Sequence, residues 1–262
     1  MTKKNNILLV FDSLRYDILE SANLPFLKSL GTWKKALAQA SWTLPAHMSF
    51  WMGKLPQALD DTEYYDTTPV RGGGRRNYQL WGLAAPPGSK CKARMFVPGA
   101  NIIEGFGKVG YKTVGTGAVP WFNPKTPAGK YLTESFKHFK YFEGDSFRSA
   151  ARQVPWARGQ VIDSDKPYFL FINFGETHHP YALPGQPKTN PYGDKNHCRN
   201  GQRKAIEYLD QQVEKLLEGL KSYNLVITAD HGECMGEDGL WGHSFSHPKV
   251  MEIPMLVTER GA

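Results

Sequence analysis

The sequence predicts an α/β fold built on a mostly parallel sheet. Three observations carry that prediction. Short, continuous apolar runs recur along the 262 residues. Amphipathic helical patterns lie between them. Several runs stop at carboxylate and imidazole residues.

The first run, residues 7–11 (Ile-Leu-Leu-Val-Phe), reads as a strand buried on both faces. Residues 40–53 follow as a helix, with Pro45 in its first turn and Gly53 to end it. Residues 102–109 suggest a short helix feeding a weaker strand at 111–115. Residues 167–174 form a second strong strand, 224–228 a third and 253–258 a fourth. Between 202 and 221, Ile206, Leu209, Val213, Leu216, Leu217 and Leu220 recur at spacings of three and four, which is one apolar stripe on a helix. Residues 57–99 carry Gly72–Gly74, Arg71, Arg75, Arg76, Lys90, Lys92 and Arg94 without periodicity. They read as a basic insertion or lid on a single domain spanning 1–262. A second irregular stretch covers 182–200.

Composition excludes several classes. No apolar run approaches the roughly 20 residues of a transmembrane helix, and mean hydropathy is −0.47. Three cysteines, Cys91, Cys198 and Cys234, show no C-x-x-C spacing, so neither a disulfide scaffold nor a zinc ribbon is encoded. Asp12 interrupts the N-terminal apolar run too early for a signal peptide. The expectation is a cytoplasmic, reducing compartment. A net charge of +7 suits an anionic partner, either a small molecule or a phosphoester. Nucleic acid is the non-enzymatic alternative, but Lys and Arg form no stripe with interleaved aromatics on any expected element.

The chemistry lies at strand ends. Residues 7–11 lead into Asp12, 167–174 into Glu176, His178 and His179, and 224–228 into Asp230 and His231, with His243 soon after. Parallel sheets bind ligands outside the carboxyl ends of their strands, so these residues should meet on one rim. Carboxylate and imidazole donors together suit zinc or manganese better than calcium or magnesium. Thr43 should lie at a helix N-terminus, where amide donors and the dipole favour an anion such as phosphate. A threonine hydroxyl needs a metal or a base to become a nucleophile. A divalent ion on Asp12, Asp230 and His231 would provide that activation.

These segments, taken together, resemble the sulfatase-like branch of the alkaline phosphatase superfamily. The matching stretches are Asn6 to Asp17, Thr43-Leu-Pro-Ala-His47 with Gly53, Glu176-Thr-His178-His-Pro-Tyr181, and Asp230-His231-Gly-Glu with Gly239-Leu-Trp-Gly-His243. The resemblance implies a three-layer sandwich of the alkaline phosphatase type and one or two divalent ions. It places Asp12, Thr43, Asp230 and His231 at the metal, with Thr43 as the nucleophile that forms a covalent intermediate. His178 and His243 would contact the transferred group or the leaving oxygen. His47, His179 and Glu176 would line the substrate, although His47 could equally face the core and Glu176 could fix a histidine tautomer. Formylglycine sulfatases carry cysteine where Thr43 stands, which favours phosphoryl over sulfuryl transfer. Many members carry a second aspartate at Ser13 and a lysine at His243. The chain is short for the family, so a C-terminal subdomain is expected to be absent. The implied activity is metal-dependent hydrolysis of phosphate mono- or diesters. Sulfate or phosphonate hydrolysis, and transfer to an acceptor alcohol, are the alternatives.

Overall fold

The computed structural model describes residues 3–53, 100–144, 148–181, 183–185 and 192–261. The basic insertion expected at 57–99 lies outside these residues. In chain order the elements begin β1 (Asn5–Phe11), α1 (Tyr16–Ser21), α2 (Pro25–Ser29), β2 (Lys34–Leu37) and α3 (Thr43–Met52). They continue α4 (Ile102–Lys108), β3 (Lys112–Gly117), α5 (Pro127–Thr133), β4 (His138–Tyr141), α6 (Ala150–Val161) and β5 (Tyr168–Phe174). The last are α7 (Lys195–Leu217), β6 (Tyr223–Ala229), β7 (Cys234–Met235), β8 (Trp241–Gly242), α8 (Pro248–Met251) and β9 (Glu252–Arg260).

Seven strands form the main sheet in the order β2-β9-β6-β1-β5-β3-β4. β6, β1, β5, β3 and β4 are parallel neighbours, whereas β9 runs antiparallel to both β6 and β2. β1 is central because every one of its ladders is parallel and buried. Ile7 sits beside Leu170 on one side and Leu225 on the other. All seven residues of β5 are buried, which explains its unbroken apolar run.

Alternation of side chains separates two cores. Ile7, Leu9 and Phe11 of β1 and Leu170, Ile172 and Phe174 of β5 face α1, α2, α6 and α7. Val10, Phe169 and Phe171 face α3, α4 and α5, where Trp51, Phe122 and Phe136 add an aromatic cluster. The result is helix, sheet and helix in three layers.

Two boundaries differ from the sequence reading. α7 begins at Lys195 rather than Gln202, because the Asp194 side chain caps it by accepting from the His197 amide. The expected irregular stretch 182–200 therefore ends inside a helix. α7 also stops at Leu217, although Leu220 still packs into the core beyond the turn at Gly219 (φ +72°). Thr43 is the first residue of α3, and Trp42 is its cap.

Candidate active site

β5 and β6 flank β1 on opposite sides, so the chain leaves the sheet in three adjacent places at one edge. That crevice is where an open α/β sheet collects ligands. The loop after β1 brings Asp12, the loop after β6 brings Asp230 and His231, and the start of α3 brings Thr43. One donor atom each from Asp12, Asp230 and His231 lies within 4.8 Å of the others, and all three residues are buried. His231 Nε2 is 3.8 Å from Asp12 Oδ1 and 3.6 Å from Asp230 Oδ2. Thr43 Oγ is 3.5 Å from Asp12 Oδ2 and 3.4 Å from His231 Nε2.

The His231 tautomer follows from its neighbours. Nδ1 lies 2.9 Å from the Gly232 carbonyl, which can only accept, so Nδ1 carries the hydrogen. Nε2 then presents a lone pair to the carboxylates. Asp230 Oδ2 is buried with no hydrogen-bond partner among the described residues. Burial raises the Asp230 carboxyl to about 7. Burial and then the Asp230 charge raise Asp12 to about 6. Burial also lowers His231. Two buried carboxylates and an available imidazole nitrogen fit a divalent cation of the zinc or manganese type.

Ser13 does not act as a further ligand here. It adopts a left-handed backbone (φ +62°), unusual for serine, which aims its amide at Asp230 Oδ1 (3.1 Å). Its hydroxyl donates to Asp12 Oδ1 (3.1 Å). One residue thus fixes both carboxylates.

His178 and His243 lie over this group. The His243 ring centroid is 4.3 Å from that of His231 and 5.2 Å from that of His178. His178 Nδ1 donates to the His179 carbonyl (2.6 Å). Burial disfavours the His178 cation, but Asp12 and Glu233 outweigh it and raise the pKa. Burial and its neighbours His231 and His178 push His243 well down.

The remaining assignments sort differently. His179 is half-buried and stacks on Tyr192 at 4.1 Å, on the rim. His47 lies beneath the site, with Nδ1 3.8 Å from Asp230 Oδ2. Its ring is caged edge-on by Phe50, Trp51, Phe122 and Phe171, and Nδ1 donates to the Thr43 carbonyl (2.8 Å). Burial drops its pKa to about 3, so it stays neutral and braces the first turn of α3. Glu176 is turned away to the start of α6, where Oε1 accepts from the Ala150 amide (2.7 Å). Its carboxylate thus sits at a helix N-terminus.

Sequence reasoning missed Glu233. Tyr181 and Tyr192 each donate a hydroxyl to one of its oxygens, at 2.6 and 3.0 Å, and Oε2 lies 4.0 Å from His243 Nδ1. Residue order gave no sign of this clamp, because Tyr181 and Tyr192 lie far upstream of Glu233 in the chain.

Comparison with known proteins agrees with this geometry. Residues 98–261 match the protein-family model for sulfatases. The chain belongs to the sulfatase family. That match covers His178, Asp230, His231 and His243 but begins after Asp12 and Thr43. The chain is also similar, end to end, to the low-salt glycan biosynthesis sulfotransferase Agl7 of Haloferax volcanii. The two are 24% identical over 98% of this chain and 55% of that protein, so the chain spans about half the length of this relative. Among solved folds, this sulfatase-family chain superposes on the C-terminal periplasmic domain of the phosphoethanolamine transferase EptC of Campylobacter jejuni. The TM-score is 0.67 at 13% identity, over 99% of this chain and 80% of that one. The same domain of EcEptC from Escherichia coli, in complex with Zn, gives 0.65 at 14% identity, over 98% and 73%. These likenesses establish an alkaline-phosphatase-like fold.

Proposed function

We propose that this chain is a metal-dependent phosphoryl-transfer enzyme that works through a covalent phospho-Thr43 intermediate and releases the group to water. The carrying observation is the position of Thr43 Oγ, within 3.5 Å of Asp12 Oδ2 and His231 Nε2 at the first residue of α3. Asp12, Asp230 and His231 would hold the divalent ion. When bound, such an ion lowers the pKa of a hydroxyl and neutralises charge on a phosphoryl oxygen. Thr43 Oγ releases its proton to solvent and attacks phosphorus; the new O–P bond forms as the ester O–P bond opposite it breaks. The amides at the start of α3 offset charge on the non-bridging oxygens. His178 and His243 face the same space and are assigned to the transferred group and the leaving oxygen, which takes a proton. A second attack, by water, frees phosphate and restores Thr43. The cytoplasmic placement rests on cysteine usage, and Cys198 and Cys234 are buried thiols.

A second reading has an alcohol in place of water as acceptor, and sulfuryl in place of phosphoryl. Its support is the end-to-end match to a protein described as a glycan sulfotransferase. One experiment separates them. Aryl phosphate, phosphodiester, phosphonate and sulfate substrates are offered with Mn²⁺ or Zn²⁺, before and after chelation, with and without glycerol as acceptor. Wild type and Thr43→Ala run together, and the Thr43 peptide is examined by mass spectrometry. Phosphate-ester turnover that needs metal, vanishes in Thr43→Ala and labels Thr43 is the expected result. Turnover retained in Thr43→Ala or in chelator would overturn the reading.

A further inference from the structure

Three polar residues of α7 are buried, Gln202, Asp210 and Gln212, and Gln202 is the most completely buried. Cys198, Ala205, Ile206, Leu209, Val213 and Leu216 share the helix's buried face at spacings of three and four, and Gln202 occupies a slot in the same row. A glutamine there loses its hydration and must be repaid by hydrogen bonds. It is repaid by the turn after β1, which carries Asp12, and by the loop after β5, which carries His178. Its Nε2 donates to the carbonyls of Ser13 and Thr177, both at 2.9 Å, and its Oε1 accepts from the Arg15 amide at 3.3 Å. Ser13 contacts both Asp12 and Asp230, and the Thr177 hydroxyl donates to the Asp12 carbonyl (2.7 Å). Ser13 also holds the left-handed conformation that costs a non-glycine residue energy. Something must hold it there, and Gln202 grips the Ser13 carbonyl and the Arg15 amide, which flank Leu14 directly after it.

We propose that Gln202 is a positioning residue of the metal centre, fixing the 12–15 turn to the Thr177 loop so that Asp12 and Asp230 converge. The proposal rests on the metal reading above. It makes no contact with substrate necessary. α7 thereby acts as a template for the site as well as a wall of the core.

The test titrates Mn²⁺ into metal-stripped protein by calorimetry and follows melting in parallel. The variants are Gln202→Met, which keeps volume and removes all three bonds, and Gln202→Asn, which keeps the amide but shortens its reach. Leu209→Ala, in the same helix and core, is the control for general destabilisation. Loss of an orienting partner typically weakens metal binding about 10–100-fold, and that is the expected loss in both Gln202 variants. With the metal saturating, kcat should fall while KM stays near wild type. Leu209→Ala should melt earlier yet bind Mn²⁺ as wild type does. If Gln202→Met does not fold, Gln202→Asn carries the comparison. Wild-type affinity in a folded Gln202 variant would overturn the proposal, as would equal loss in Leu209→Ala. Should wild type itself take up no Mn²⁺, the metal reading falls, and amide exchange at Ser13 then decides. Faster exchange in the Gln202 variants but not in Leu209→Ala supports the positioning role. Unchanged exchange ends it.

Discussion

Asp12, just after β1, and Asp17, in the first turn of α1, lie five positions apart, yet their surroundings push them in opposite directions. Around Asp12 and Asp230, burial raises both carboxyls, to about 6 and about 7. Around Asp17, burial would do the same, but Arg15 overcomes it by hydrogen bonds and charge and holds the carboxyl well below its usual range. Arg15 is almost fully buried and forks onto Asp17 at 2.9 and 2.7 Å. Arg199 and Lys249 reach the same carboxylate at 3.1 and 3.2 Å. A second arm of Arg15 meets Glu237 at 3.0 Å, where Lys195 stands 3.5 Å away. One cluster is closed by the protein's own cations. The other has its two carboxylates offset only in part, by His178, which leaves it suited to an added cation. The chemistry of a carboxylate is set by its neighbours, and here the neighbours divide structure from function.

The largest test of this contrast is a pair of single substitutions with opposite signs. Arg15→Met removes the buried cation that Asp17 and Glu237 share, but Arg199 and Lys249 still face Asp17 and Lys195 still faces Glu237, so the loss should stay below the roughly 3–5 kcal/mol of a fully unpaired buried ion. Asp230→Asn removes one of two crowded charges while its Oδ1 can still accept from the Ser13 and His231 amides. In metal-free protein at neutral pH, Asp230→Asn should therefore melt later than wild type, and its Mn²⁺ affinity should collapse. Denaturant melts with and without Mn²⁺ read both effects. An earlier melt for metal-free Asp230→Asn would remove the idea that the site is electrostatically open.

The two clusters should also separate along the pH axis. A carboxyl whose folded pKa is raised holds more protons in the native state, so its contribution is present below the unfolded value and lost as pH rises. Metal-free protein should lose stability from about pH 4 toward pH 7 as Asp12 and Asp230 ionise. Mn²⁺ should reverse that loss, because it binds only the native site. The closed cluster has the other sign. Burial opposes ionisation of Glu237, but the Met235 amide and Arg15 prevail and bring it down to about 2. Its contribution is present above the ordinary carboxylate range and is lost as pH falls toward 2. Melting temperature against pH, with chelator and with Mn²⁺, checks both limbs.

Sequence showed the scaffold more readily than the connections that tune it. β1, β5 and β6 were legible because strands buried on both faces have little room for polar residues, and the last apolar position of each marks where chemistry can start. α3 has nine of its ten residues buried and so little periodicity, yet Pro45 and Gly53 still punctuate it. β2 was illegible: its four residues are mostly exposed, at a sheet edge, and have no alternation to read. The antiparallel course of β9 depends on pairing with β6, which no local pattern encodes. Asp12, Thr43, Asp230 and His231 were found because each stands at the end or start of an element. Glu233 escaped because its partners are remote. Gln202 left a readable trace, a polar residue in phase with an apolar stripe, when the stripe is followed one turn upstream.

Gly232 sits between the two clusters and sharpens their coupling. A Cβ there would lie 2.3 Å from the Lys249 carbonyl and 3.3 Å from Arg15 Cγ, so even alanine forces a backbone shift. Overpacking of this kind costs roughly 1–3 kcal/mol. Because His231 and Glu233 flank the position, Gly232→Ala should lower both melting temperature and Mn²⁺ affinity. Loss of stability with full affinity would show that the two clusters are mechanically independent.

The smallest effect belongs to Lys195. Its ammonium is about half exposed (53%) and stands 3.5 Å from Glu237, which Arg15 already neutralises. Exposed pairs contribute at most about 1 kcal/mol, and less as salt rises. Lys195→Ala should therefore shift stability by a few tenths of a kcal/mol to about 1 kcal/mol, with the difference vanishing in high salt, and leave metal uptake unchanged. A loss as large as that of Arg15→Met would mean that the closed cluster depends on its rim. Its buried centre would then not be what holds Asp17 and Glu237 ionised, and the contrast with Asp12 and Asp230 would rest on solvent-exposed charge rather than on burial.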